Sequence, residues 1–331
     1  MFPLPGAAET RRQVRWKCRE PYSELLWFDR RCFSSEEQLL KSIGQRIAGI
    51  PEIFEVSGTV LQRFIEGETL GSFHQSGTRV PDGLFNQIVK LFSELVAVSP
   101  SALDIERICK ADDRPLDGDT DGFLERLIEF SEHRVYEQNS ERFALLFQAL
   151  GVDFDSFKRL RKHVSGLQKR PFCLLHADLH RENFIVDPDR RLWTIDWELA
   201  MFGDPLYDLA THLYLMRYPP RQERQMAEEW CAAVEKIRPG SSNGMDVDLP
   251  RLIDFKRVQS VFTDVIREAL SLGVEPDRHR RQFAHAGAKL RKILAASAPP
   301  LGLDSVPSST RIAAALERWH HEQADEAPPE K

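Results

Sequence analysis

The sequence predicts an α+β fold, with a small strand-rich N-terminal part and a larger, mostly helical C-terminal part. Near the N-terminus, residues 13–19 alternate between apolar and basic side chains, which is typical of a half-buried strand. Further along, apolar residues from Leu84 to Leu95 recur at spacings of 3, 4 and 7, which indicates one buried face of a helix. A chain of 331 residues is long enough for two domains.

The N-terminal part is predicted to contain four strands and one helix. Residues 13–19 and 24–30 are two strands separated by a turn. The sequence Ser34-Ser35-Glu36-Glu37 indicates a helix start, because serine caps and early acids favour the first turn. Residues 53–56 and 59–65 then form a hairpin around a Ser-Gly turn.

The C-terminal part is predicted to be helical outside one central stretch. The predicted helices cover residues 84–95, 122–150, 155–168, 209–218, 221–237, 250–272 and 276–295. The last of these is basic, but it lacks interleaved aromatic residues, which favours a solvated helix over a nucleic-acid surface. We place domain boundaries at 1–66, 67–298 and 299–331, the last region being a linker, a short helix over 310–323 and a disordered tail.

Composition excludes several classes of protein. Hydrophobic content is 42%, charged content is 29%, and the net charge of −6 argues against a nucleic-acid binder. The five cysteines are scattered without a Cys-x-x-Cys pair, which favours a reducing cytoplasm over a disulfide or zinc framework. No signal peptide or run of 18 apolar residues occurs, so we expect a cytoplasmic protein without a membrane span.

Residues 171–209 carry the candidate chemistry. Three short apolar runs separated by polar residues predict strand, loop, strand, turn and strand. Asp178 and Asn183 lie in the first loop, and Asp196 directly follows the third strand. Two carboxylates and an amide at strand ends suit a magnesium-phosphate site, because Mg²⁺ prefers oxygen ligands and takes only one or two carboxylates from a protein. Phosphoryl transfer also uses a carboxylate to orient the attacking hydroxyl.

This stretch resembles the aminoglycoside phosphotransferase and choline kinase family. The similar segments are His176-Ala177-Asp178-Leu179-His180-Arg181-Glu182-Asn183, then Ile195-Asp196-Trp197-Glu198, and then Gly203-Asp204-Pro205-Leu206-Tyr207-Asp208-Leu209-Ala210. The first two follow the order of a kinase catalytic loop and metal loop. The resemblance implies a protein-kinase-like bilobal fold, with a nucleotide-binding N-terminal lobe and a catalytic C-terminal lobe.

The resemblance implies a role for most polar residues of the motif. Asp178 would be the catalytic base, and Asn183 would be a magnesium ligand, as would Asp196. His176 would be a structural brace. The remaining two acids, Asp204 and Asp208, would be scaffold acids at the start of a helix.

Three residues of the motif have more than one possible role. Glu198 follows Asp196 by two residues, so in a strand-like segment both share a face, and Glu198 would reach a second metal ion or a substrate hydroxyl. The alternative is an ordinary solvated acid. Asp178 has the alternative of stabilising a turn, as Asp commonly does. His180 is expected to form hydrogen bonds within the loop and not to bind metal.

The N-terminal lobe should bind ATP or GTP, and a kinase needs a strand lysine braced by a helix glutamate for this. Lys17 is the candidate lysine, with Glu36 or Glu37 as its brace; the alternative is an exposed lysine. If residues 13–30 form one hairpin, the lysine position falls on Asp29-Arg30-Arg31, and an arginine would substitute. Only 16 residues precede Lys17, and no Gly-rich loop is present, so either the start is truncated or misassigned or the lobe is reduced.

Residues 60–70 are similar to the inter-lobe linker of the family. Kinases read adenine with backbone groups at this hinge, which by position belong to Arg63 and Ile65, with Gln62 lining the pocket. The alternative is an ordinary strand that ends in a Glu-Gly turn.

The predicted function is Mg²⁺- and ATP-dependent phosphorylation of a small-molecule hydroxyl. The resemblance suggests an aminoglycoside, with choline, a sugar derivative or a biosynthetic intermediate as alternatives. Asp264 and Glu268 lie one helical turn apart and either face an amino-bearing substrate or are solvated. Protein substrates are disfavoured because no Ala-Pro-Glu segment follows Asp196. The alternative function is a nucleotide-binding pseudokinase without turnover, and no pattern indicates an oligomeric state.

Overall fold

The structure is a computed structural model that describes residues 2–3, 14–17, 30–272 and 279–326. The chain packs as two units. The first unit contains the described residues of Met1–Leu26, Arg31–Phe123 and Gln168–Leu249. The second contains the described residues of Trp27–Arg30, Leu124–Leu167 and Pro250–Lys331. Arg31–Phe123 thus belongs to one unit, and the predicted boundary at residue 66 stays a prediction.

The first unit opens with an antiparallel sheet in the order β1-β2-β4-β3. Its strands are β1 (Phe2–Pro3), β2 (Arg15–Lys17), β3 (Ile53–Val56) and β4 (Thr59–Arg63). The predicted hairpin is confirmed, although its second strand ends at Arg63. Ser57 and Gly58 at its turn both have positive φ, at 50° and 80°, as a two-residue hairpin turn requires. Strand β1 was not predicted, and the predicted strand over 24–30 lies outside the described residues except for Arg30.

Two smaller sheets follow in the same unit. Their strands are β5 (Glu68–Thr69), β6 (Cys173–Leu175), β7 (Phe184–Val186), β8 (Leu192–Thr194) and β9 (Met201–Gly203). Strands β5, β7 and β8 form one sheet, and β6 pairs with β9. The three strands predicted within residues 171–209 are confirmed as β6, β7 and β8, whereas β5 and β9 were not predicted.

The helices account for most of the remaining chain. They are α1 (Glu36–Ile43), α2 (Leu70–Phe73), α3 (Asp82–Val96), α4 (Thr120–Phe130), α5 (Gln138–Leu150), α6 (Asp155–Val164), α7 (Pro205–Met216), α8 (Pro220–Ile237), α9 (Met245–Ser271), α10 (His279–Leu301) and α11 (Ser309–Glu326). Ser35 caps α1 as predicted, because its hydroxyl accepts from the backbone N–H of Gln38 at 3.1 Å. The predicted apolar stripe of α3 is buried. Small antiparallel sheets with long helices confirm the α+β class.

The described residues of the second unit form helices and connecting loops, with no strand among them. A π-helical turn, Ser131–Glu137, joins α4 to α5. Phe157 and Phe262 stack with ring centroids 4.5 Å apart in its core. Three boundaries differ from prediction: α9 begins within the expected loop at 238–248, α6 ends at Val164 and not at 168, and α10 runs through Pro299 and Pro300 of the expected linker to the buried Leu301. Helix α11 confirms the short helix and continues through 324–326, the first three residues of the predicted tail, while the rest of that tail lies outside the described residues.

Candidate active site

The catalytic loop, which we define as residues 176–183, begins at the end of β6 with a buried histidine. His176 donates from Nε2 to the carbonyl oxygen of Ile195 at 3.1 Å, since a carbonyl can only accept. Its Nδ1 accepts from the backbone N–H of Asp178 at 3.3 Å. Burial lowers the pKa of His176 to about 4, so the ring is neutral and keeps this tautomer. His176 therefore braces the loop, as predicted.

Asp208 binds the backbone at the start of the catalytic loop by hydrogen bonds. Its carboxylate accepts from the backbone N–H of His176 at 3.1 Å and from that of Ala177 at 2.8 Å. The residue is buried in α7. Ala177 has a φ of +64°, a conformation that a residue with a side chain adopts only when its surroundings hold it. Asp208 thus stabilises the bend that places Asp178.

Asp178 is held by its neighbours at one carboxylate oxygen, and its side chain is 27% exposed. Its Oδ2 accepts from Asn183 Nδ2 at 3.0 Å and lies 3.3 Å from His180 Nε2. Its Oδ1 accepts no hydrogen bond from any residue that the structure describes. Asn183 Nδ2 also donates to the Asp178 carbonyl at 2.9 Å, so the amide is locked with Oδ1 directed away from this carboxylate.

His180 forms hydrogen bonds within the loop, as predicted. Its Nδ1 accepts from the backbone N–H of Glu182 at 3.1 Å, so Nε2 carries the proton that points at Asp178. Burial alone would lower the pKa of His180, but the hydrogen bond to Asp178 and the charges of Asp178, Asp196 and Glu182 raise it.

The metal loop, which we define as residues 195–200, starts beside Asn183. Strands β7 and β8 pair with Phe184 opposite Thr194, and the Ile195 N–H donates to the Asn183 carbonyl at 3.0 Å. Asn183 and Asp196 therefore leave the same end of one hairpin. Asp196 has a φ of +64°, the left-handed region that non-glycine residues rarely adopt outside constrained sites.

The donor set suits magnesium better than zinc. An amide oxygen and a carboxylate at one hairpin end are the hard ligands that Mg²⁺ takes, usually together with water and phosphate oxygens. Across the described residues, no group of three or more His, Cys, Asp or Glu side chains is arranged to hold a metal ion. Asn183 and Asp196 offer ligand types that Mg²⁺ takes, and their role as its ligands stays a prediction.

The structure places Glu198 in a turn, and its predicted role at the metal site stays a prediction. Residues 197–200 form a turn, closed by a 3.0 Å bond from the Ala200 N–H to the Trp197 carbonyl, and not a strand-like segment. The shared-face argument that joined Glu198 to Asp196 was therefore wrong. Glu198 instead forms an ion pair with Arg31, at 2.9 Å between Nη2 and Oε1.

Lys17 and its expected braces are not brought together. Lys17 is exposed on β2, and in the described part of the chain it forms no ion pair. Glu36 accepts from the backbone N–H of Trp197 at 2.9 Å, and Glu37 accepts from the Ser35 hydroxyl at 2.8 Å. The cation next to the metal loop is Arg31, from the segment that the sequence offered as the alternative to Lys17.

The hinge residues lie where β4 leaves its sheet. Gln62 is buried and pairs in register with Lys17. The backbone N–H of Arg63 already donates to the Glu52 carbonyl at 2.8 Å, so this donor is not available to a nucleotide. The backbone of Ile65 forms no hydrogen bond with other described residues. Ile65 is therefore the better placed of the two predicted hinge contacts.

The predicted scaffold acid Asp204 anchors the start of α7. It caps the helix by accepting from the Leu206 N–H at 2.9 Å, and it forms a bidentate pair with buried Arg170 at 2.7 and 2.8 Å. Arg170 also contacts Asp248 at 2.7 Å. Burial opposes the arginine charge, but the two aspartates keep the pKa of Arg170 above its ordinary value.

The two predicted substrate acids lie on α9 in the second unit. Asp264 accepts from the Ser260 hydroxyl at 3.1 Å and lies 3.7 Å from Arg267. Glu268 pairs with Lys289. Neither is simply solvated, and a role for either in substrate binding stays a prediction. Within the described residues, no helix combines the length and apolar character needed to cross a membrane.

Comparison with known proteins identifies the relatives of this site. A family model described as "Phosphotransferase enzyme family" matches residues 39–240. Protein LicA of Haemophilus influenzae is 32% identical over 113 residues, which are 32% of this chain and 40% of LicA. A 51-residue stretch is 47% identical to acyl-CoA dehydrogenase family member 11 of Mus musculus, which covers 15% of this chain and 6% of the mouse protein. The matches thus span less than half of either relative.

Among solved structures, a Ralstonia eutropha JMP134 protein provisionally assigned as an aminoglycoside phosphotransferase aligns with a TM-score of 0.52. The two sequences are 14% identical, and the alignment covers 81% of this chain and 82% of that chain. At this identity the similarity concerns the fold, and it agrees with the predicted kinase-like fold.

Proposed function

Because the chain belongs to the phosphotransferase enzyme family, we propose that it is a small-molecule kinase that transfers the terminal phosphoryl group of ATP to a small-molecule hydroxyl with Mg²⁺. The observation that carries this proposal is the arrangement around Asp178. Its Oδ2 is held by Asn183 and His180, which leaves Oδ1 to meet an incoming hydroxyl. Phosphoryl transfer relies on this kind of positioning more than on covalent chemistry.

Asp178 orients the acceptor hydroxyl in the proposed reaction and accepts its proton at Oδ1. The acceptor oxygen forms a bond to the γ-phosphorus while the bond to the β–γ bridging oxygen breaks, which leaves ADP and a phosphate ester. The Oδ1 of Asn183 and the carboxylate of Asp196 would hold Mg²⁺. When bound, the ion would offset the negative charge of the nucleotide phosphates. We do not assign this role to Glu198, because Arg31 engages it.

Nucleotide binding is proposed at the hinge. The Ile65 backbone would read the base edge, and Gln62 would line the pocket, whereas only the carbonyl of Arg63 remains for such a contact. A hinge of backbone groups fits ATP and GTP alike. We propose ATP first, and we place the protein in the cytoplasm, where both nucleotides are abundant.

We propose a chemical class for the acceptor and not one compound. An aminoglycoside, an amino alcohol such as choline and a sugar derivative all offer a hydroxyl near a cationic or polar group. Asp264 and Glu268 would meet an amino group, if either leaves its present partner. An acyl-CoA that bears a hydroxyl belongs in the same screen, since one relative is named for acyl-CoA.

The alternative is a nucleotide-binding protein without turnover, which the exposed position of Lys17 favours. An assay of ADP release against the four acceptor classes, with and without Mg²⁺, separates the two. We expect acceptor-dependent release with wild type and none with Asp178→Asn, while calorimetry shows nearly unchanged nucleotide binding by the variant. Binding without release for every acceptor would support the alternative, and an active Asp178→Asn variant would exclude Asp178 as the base.

A further inference from the structure

Arg31, in the segment before α1, and Glu36, at the start of α1, contact two successive residues of the metal loop. Arg31 pairs with Glu198 at 2.9 Å, and each side chain is only 23% exposed. Glu36, the first residue of α1, accepts from the Trp197 N–H at 2.9 Å. The exposure matters, because ion pairs between fully solvated side chains contribute little, whereas partly buried pairs are screened less.

The same segment is itself fixed by neighbouring elements. Phe33 is buried and packs edge-on against Phe202 of β9, with ring centroids 5.8 Å apart. Phe33 also forms an isolated β-bridge with Arg107, and the Ile108 N–H donates to the Cys32 carbonyl at 3.0 Å. Arg31 therefore belongs to a segment that contacts with neighbouring elements hold in place.

The metal loop needs such support. Asp196 adopts a φ of +64°, and Trp197 follows it with a buried ring whose Nε1 donates to the Thr194 carbonyl at 3.1 Å. A strained residue persists only when its neighbours determine its conformation. The contacts from Arg31 and Glu36 fall on the two residues directly after Asp196.

We propose that Arg31 is a positioning residue for the metal loop: through its pair with Glu198, together with the Glu36–Trp197 bond, it holds Asp196 in its metal-binding conformation. This inference rests on the proposed function of Asp196. It makes Glu198 the partner of Arg31 instead of a ligand, and it makes Arg31 a support for the loop instead of a contact to phosphate.

A double-mutant cycle tests the proposal. Affinity for a non-hydrolysable Mg²⁺–ATP analogue is measured by calorimetry for wild type, Arg31→Met, Glu198→Gln and the double variant. Each single variant should bind about tenfold more weakly, which is about 1.4 kcal/mol. The double variant should bind no more weakly than the weaker single, because both remove the same interaction. Additive losses, an effect of Arg31→Met alone, or tighter binding by Arg31→Met would overturn the proposal.

Hydrogen exchange on the protein without ligand provides a second readout. The peptide that covers residues 196–200 should exchange faster in Arg31→Met than in wild type, while α3 and α7 exchange unchanged. The matched control removes the ion pair between exposed Lys41 and Glu55. The Nζ of Lys41 lies 3.6 Å from Oε2 of Glu55, and this pair does not touch the metal loop. This control should change neither readout. Unchanged exchange of the loop in Arg31→Met would contradict the proposal, whereas failure of wild type to bind nucleotide would instead contradict the proposed function.

Discussion

Replacing Asp208 by asparagine should loosen the catalytic loop without removing any group from the reaction. The carboxylate accepts from two buried backbone N–H groups, those of His176 and Ala177. Asparagine is nearly the same shape, but it offers one accepting oxygen and one NH₂ group. One of the two backbone N–H groups would then face another donor in a buried site.

The magnitude follows from those two bonds. A hydrogen bond to a charged group contributes about 1.5–3 kcal/mol, and an unsatisfied buried donor costs about 1–3 kcal/mol. Since one bond is lost and the other becomes neutral, we expect the free energy of unfolding to fall by about 2–4 kcal/mol. Ala177 would relax from its φ of +64°, and displacement of the adjacent Asp178 by about 1 Å would lower kcat up to about 100-fold.

Urea unfolding and steady-state kinetics measure the two effects on one preparation. The matched control is Asp82→Asn, which makes the same change in the first turn of α3, where the side chain is 67% exposed. We expect this control to change the unfolding free energy by less than about 0.5 kcal/mol. If Asp208→Asn is no more destabilised than the control, the carboxylate does not hold the loop and the reasoning is refuted.

Three further changes test other parts of the structure. Asp196→Ala should weaken binding of Mg²⁺–nucleotide at least about tenfold in calorimetry but leave metal-free nucleotide binding unchanged, and equal losses in both would exclude metal ligation. His176 has a pKa near 4 when folded and about 6.5 when unfolded, so the unfolded chain binds more protons between these values, and stability falls as pH drops through this window by at most about 3 kcal/mol. His176→Gln should flatten that fall in urea unfolding at pH 7.5 and 5, and an unchanged slope would show that His176 is not the source. Arg170→Met should cost about 3–5 kcal/mol, because it leaves Asp204 and Asp248 buried without their partner, and a loss below about 1 kcal/mol in the same assay would contradict the ion-pair network.

The parts of the fold that local patterns encode were predictable. The hairpin around Ser57 and Gly58, the capped start of α1 and the stripe of α3 each depend on residues close in sequence. Strand β9 was not predicted, because Met201–Gly203 is too short to show alternation and is a strand only through its pairing with β6. The same holds for Glu68–Thr69, which pairs with β7.

The site residues also divide into those that local sequence predicts and those that depend on distant contacts. Asp178, Asn183 and His180 lie within one loop, so spacing alone placed them together. The strand-like segment expected around Glu198 is a turn, because nothing in the sequence shows that Asp196 adopts a positive φ. The Arg31–Glu198 pair joins residues far apart in sequence. Its only indication in the sequence was that the expected lysine position falls on Asp29-Arg30-Arg31, and not on Lys17, if residues 13–30 form one hairpin.

Divalent-ion placement tests the central claim most directly. Crystals grown with Mn²⁺ and a non-hydrolysable ATP analogue locate the ion by its anomalous signal. We expect a peak bound by Asn183 Oδ1 and the Asp196 carboxylate, with the terminal phosphate facing Asp178 Oδ1. A nucleotide-bound ion that touches neither Asn183 nor Asp196 would contradict the account.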